Sequence, residues 1–130
     1  MALTKDQQTI LPTTTVSGNS STDLADCSPV DLSIDPTLAL TVQVAFDGSA
    51  TEDVRIHIRS SHDDTSYDTV DIGANQQGYW DVPVNAGNTV QSTTNEWTDP
   101  KYIKVIVENL DANPVDVTVI ATTQEVSPTA

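Results

Sequence analysis

Cysteine occurs once in this 130-residue chain, as Cys27, so no disulfide can close within it, and the thiol reads as a small buried hydrophobe. Histidine occurs twice, at His57 and His62, with no second cysteine or neighbouring histidine to complete a zinc set. Basic residues are scarce: five Lys and Arg stand against nineteen Asp and Glu, for a net charge of −14. Such a balance repels phosphate backbones and anionic membranes, so neither nucleic acid nor membrane is expected as a partner. No apolar run approaches the roughly 20 residues of a spanning helix. The opening residues, MALTKDQQTILPTTTV, lack the apolar core of an export signal, and synthesis in a cytoplasm is the expectation. A phosphate loop and a nucleophile with an orienting base are also missing from the pattern, so the chain reads as no enzyme, without cofactor or metal.

What is present is period-two alternation. Ile103, Val105 and Val107 alternate with Tyr102, Lys104, Ile106 and Glu108, and Val115, Val117 and Val119 alternate with Asp116, Thr118 and Ile120. Alternation of β-branched residues marks half-buried strands. The intervening Asn109-Leu110-Asp111-Ala112-Asn113-Pro114 is turn chemistry, so residues 100–123 read as one long β-hairpin. Leu38, Leu40, Val42, Val44 and Phe46 form a core strand, and Gly48 supplies its turn. Val30, Leu32 and Ile34 make a short strand closed by Pro36. Val54, Ile56 and Ile58 form the next inward set. Residues 67–72 read as its partner, followed by a turn over residues 73–78. Trp80, Val82 and Val84 form a strand that Pro83 places at a sheet edge. A weakly apolar strand covers residues 89–94. Turns recur every 8–12 residues or so, with no sustained helical period, which predicts an all-β antiparallel β-sandwich, jelly-roll or Ig-like, of about eight strands.

The domain organisation expected is a sandwich over residues 30–124, preceded by an extended N-terminal arm over residues 1–29 and followed by a tail over residues 125–130. Ile10, Leu11 and Val16 are the arm's candidate anchors on a neighbouring subunit. Arg55, His57 and Arg59 stand in one row on one strand. They are either matched by internal carboxylates such as Glu108 or form a subunit contact. Asp63, Asp64 and Asp68, with Asp47 and Glu52, offer oxygen atoms to calcium, but their spacing is not that of an EF-hand loop, and solvated turn carboxylates are the simpler account. Tyr79, Trp80 and Trp97 are the candidates for a sugar-stacking platform, and otherwise pack at sheet edges.

Four segments carry a resemblance. Residues 46–51 (FDGSAT), 54–61 (VRIHIRSS), 65–69 (TSYDT) and 99–109 (DPKYIKVIVEN) resemble small β-sandwich virion proteins of tailed bacteriophages, over roughly residues 38–123. Where that pattern has a glycine after Asp63, this chain has Asp64. The resemblance implies a structural virion protein, first of all a capsid decoration (cement) protein stabilising the head across capsomer interfaces. The implied partners are further copies of itself, in a homo-oligomer such as a trimer, and the major capsid protein or another virion protein. A neck, tail or fibre-associated protein and a carbohydrate-binding module are the alternatives.

Overall fold

In the computed structural model, residues 2–33, 37–71, 78–96 and 100–127 are described, with side chains from residue 5 to residue 124 of these. Eight strands follow one another: β1 (Ala2–Val16), β2 (Val30–Asp31), β3 (Thr37–Ala45), β4 (Val54–Ser61), β5 (Tyr79–Val82), β6 (Thr89–Asn95), β7 (Tyr102–Asn109) and β8 (Val115–Ser127). They form two four-stranded sheets, in the order β1-β8-β3-β6 (sheet A) and β2-β7-β4-β5 (sheet B). Every pairing is antiparallel, and β1 pairs with β8, β2 with β7, β3 with β6, and β4 with β5. That nesting of first strand with last is a long antiparallel ribbon rolled into two layers, the jelly roll. The all-β antiparallel sandwich expected from the alternation is therefore the fold observed.

The core is what the alternation promised. Leu40, Val42 and Val44 of β3, Ile56 of β4, Val105 and Val107 of β7, and Val117 and Val119 of β8 are fully buried. Each contributes roughly 1.5–3 kcal/mol by leaving water. Cys27 joins them as a free thiol; burial raises its pKa, and its Sγ accepts the Val105 N–H at 3.5 Å.

Three expectations are corrected. The N-terminal arm is a strand: β1 runs along β8 from Ala2↔Ser127 to Val16↔Val115, interrupted by register shifts between Thr9 and Leu11 and between Leu11 and Thr14. Those shifts allow the adjacent Ile10 and Leu11 both to be buried, at 0% and 1% exposure, and Val16 follows at 3%. The three proposed anchors are spent on this chain's own core. Second, β7 and β8 do not form a hairpin, since β7 lies in sheet B and β8 in sheet A. Alternation reveals that a strand has one dry face but not which sheet it joins. Third, residues 67–71 form no strand, only a bridge between Ser61 and Tyr67. The expected end of the second strand at Ile34 and Pro36, the turn at residues 73–77, and Trp97 lie outside the described residues.

The connection from β7 to β8 is held by a polar knot. The buried Asp111 carboxylate accepts the backbone N–H groups of Thr51 (2.6 Å), Glu52 (2.8 Å) and Asn113 (2.8 Å). These donors, Thr51 first, hold its pKa well below the usual carboxylate range. The Asn109 amide donates to the carbonyls of Val16 (3.2 Å), Ser17 (3.3 Å) and Asn113 (2.7 Å). Gly18 passes so close that a Cβ there would sit 2.0 Å from the Ala112 carbonyl oxygen.

Candidate functional site: the two outer faces

Side chains pointing away from the core divide sharply between the sheets. On sheet B, β4 sends out Arg55, His57 and Arg59, each opposite a residue of β7: Glu108, Ile106 and Lys104. Arg55 binds Asp81 of β5 through Nε at 2.8 Å and Nη2 at 3.2 Å, and its guanidinium lies 4.4 Å over the Tyr79 ring. His57 presents Nδ1 to Asp71 at 3.0 Å and Nε2 to Glu108 at 2.9 Å. Arg59 Nε reaches the same Asp71 at 3.1 Å, and Lys104 lies 5.1 Å from the centre of the Tyr67 ring. Tyr67 donates in turn to Asp64 at 2.5 Å, and burial followed by that bond raises its pKa.

The row expected from sequence is therefore real, and its cations are matched by carboxylates of the same chain. Glu108 was foreseen as a partner. Asp71 and Asp81 were not, because they lie 14 and 26 residues from the side chains they bind, and no local spacing announces such a pair.

The acidic turn has structural work of its own. Asp63 accepts the N–H groups of Ser66 (2.8 Å) and Thr65 (2.9 Å), Ser66 contributing most, which lowers its pKa to about 2. Asp64 stands at φ 61°, the left-handed conformation for which a glycine was expected. Among the described residues, no group of three His, Cys, Asp or Glu side chains is arranged to hold a metal. Trp80 is partly buried and packs against the core, with its Nε1 enclosed.

Sheet A presents a different surface. Its outward positions are Lys5, Gln7, Thr9, Thr13 and Thr15 on β1; Asp116, Thr118, Ile120, Thr122 and Gln124 on β8; Thr37, Ala39, Thr41, Gln43 and Ala45 on β3; and Thr89, Gln91, Thr93 and Asn95 on β6. Lys5 and Asp116 are the charged side chains of this face among the described residues. Neighbouring strands are laced by side-chain bonds: Thr41 to Thr93 at 2.9 Å, Gln43 to Gln91 at 2.9 Å, Thr13 to Thr118 at 2.7 Å, and Thr15 to Asp116 at 2.6 Å. The result is a pre-ordered sheet of hydroxyl, amide and methyl groups, nearly free of charge, on a chain of net charge −14.

No family model matches the sequence, and no curated protein matches it. Among solved structures, the chain is similar to one from Bacillus endospore appendages, which form a novel family of disulfide-linked pili. The identity is 13% and the TM-score 0.49, over 96% of this chain and 89% of that one. A likeness at that level carries no argument about what this chain does.

Proposed function

We propose that this chain is a non-enzymatic structural protein of a tailed-phage virion, a capsid decoration protein that docks through the outer face of sheet A. The observation that carries the reading is the segregation of charge. Specific interfaces are depleted of charged residues at their centres, and the face that meets that condition is the one whose polar groups are already paired and aligned. The charged row of sheet B is satisfied internally, so opening it to a partner would cost more than it returned. The jelly roll is used by viral capsid proteins and by lectins alike, and does not by itself separate the two.

Area sets the manner of binding. Four strands spaced about 4.8 Å apart and roughly eight residues long offer about 500 Å². A standard interface buries about 800 Å² per partner. One copy alone therefore holds weakly, and copies joined together hold by avidity. The same face would serve a neck or tail position, so the test uses both parts of the particle. Purified protein mixed with heads lacking it should co-sediment to saturation in a fixed ratio to the major capsid protein. Binding to tails alone would move the assignment to the tail, and binding to neither would overturn it.

A further inference from the structure

The four sheet edges are unequally protected, and the inequality points to a partner. In sheet B, β2 has two residues, and β5 has four and is followed by Pro83. In sheet A, β6 has seven residues and β1 has fifteen. Edge strands are normally kept short or blocked because their unpaired N–H and C=O groups template association. The distal half of β1 is blocked: Pro12 lacks an N–H, register shifts bend the strand, and the Ile10 carbonyl accepts Ser28 N–H at 2.7 Å. The half before Ile10 is not. Residues 5–9 are all exposed, and among the described residues no backbone bond outside the ladder to β8 reaches them.

We propose that this edge pairs with the same edge of a second copy, antiparallel about a two-fold axis through Gln7, joining two A sheets into one of eight strands. Symmetry and charge select the register. A two-fold axis normal to the sheet keeps outward residues opposite outward residues, so partners must be an even number of positions apart. An axis at Lys5 or Asp6 sets a like charge against itself. An axis at Gln8 runs the pairing into the occupied Ile10 carbonyl. Centred on Gln7, the ladder places Lys5 opposite Thr9 and Asp6 opposite Gln8, uses the whole exposed stretch, and sets two Gln7 amides face to face. Gln43 and Gln91 already make that contact within the sheet. Residues 2–16 carry one Lys and one Asp, so the seam is neutral where two chains of charge −14 must approach. Pairing doubles the docking face to about 1,000 Å². That benefit rests on the proposed function, whereas the pairing itself does not.

Light scattering across a dilution series is the test, beginning with the wild-type chain and expecting twice 13.9 kDa. Gln7→Glu, which sets two carboxylates opposite each other, should return the mass to one chain with the melting temperature of the folded unit unchanged. Val70→Glu adds the same charge at an exposed site outside sheet A, in the segment after β4, and should leave two chains. Under mild oxidation Gln7→Cys should crosslink, because directly opposed Cα atoms lie about 4.5–5.5 Å apart, within disulfide reach. Gln8→Cys should not. A wild-type monomer at every concentration, or a dimer indifferent to Gln7→Glu, overturns the pairing. A monomer that still saturates heads would overturn the pairing and leave the proposed function standing. A Gln7-dependent dimer that ignores every virion part would do the reverse.

Discussion

The two outer faces of this sandwich rest on the same core and are built by the same alternation, yet they are chemically opposite. Sheet B turns out a closed circuit of guanidinium, imidazole and carboxylate, with Asp71 shared between His57 and Arg59. Sheet A turns out Thr and Gln ladders with almost no charge. Inward residues decide that there is a sandwich, and outward residues decide what it can touch. A charged face whose partners are internal is finished, whereas a neutral face of paired hydroxyls and amides has little desolvation to oppose contact.

The variants that bear hardest on this contrast strike what holds the faces together. The Asp111 carboxylate ties the loop between β7 of sheet B and β8 of sheet A to the loop between β3 and β4, and Gly18 packs against it from the loop after β1. Gly18→Ala forces a Cβ onto a backbone carbonyl, and Asp111→Ala orphans several N–H groups. Each should lower the melting temperature by on the order of 10 °C in calorimetry. A loss of a degree or two would mean that the knot is incidental. Arg59→Gln removes one contact from the sheet B circuit, at a site about one-fifth exposed. It should cost about 1 kcal/mol or less in denaturant unfolding, and a loss several times larger would make that face a keystone of the fold.

A pH dependence is expected at the end of β6. Burial pushes the Glu96 carboxyl up to about 7 from its ordinary 4.5, against a weaker opposing hydrogen bond from Thr94. The folded state then holds a proton that the unfolded chain has released, so this group's contribution to stability falls as pH rises from about 4.5 to about 7. Glu96→Gln should match wild type near pH 4 and melt higher at pH 8, with the gap opening between those values. A gap independent of pH would refute the assignment.

Much of the fold was legible because hydrophobic alternation is a local signal. The inward sets at Leu38 to Val44, Val54 to Ile58, Ile103 to Val107 and Val115 to Val119 are all buried as read. Pro83 likewise marked β5 as an edge. What escaped was non-local. That β7 and β8 occupy different sheets depends on which strands find them, and that Ile10, Leu11 and Val16 serve this chain's own core depends on β8, which begins nearly a hundred residues later. A polar, Thr-rich strand at a sheet edge looks like an arm until its partner is known. The row at Arg55, His57 and Arg59 was visible, but its closure by Asp71 and Asp81 was not. The neutral face was hidden for another reason: its residues are scattered over four strands and come together only when the strand order is known.

The most direct test is to place charge on each face and measure binding to heads. Thr41→Glu combined with Gln43→Glu, at half-buried positions whose side chains point away from the core, should reduce co-sedimentation at least tenfold while the chain stays folded by circular dichroism. Arg59→Gln should bind as wild type. The account is contradicted if the sheet A variant still saturates heads and the loss follows Arg59 instead.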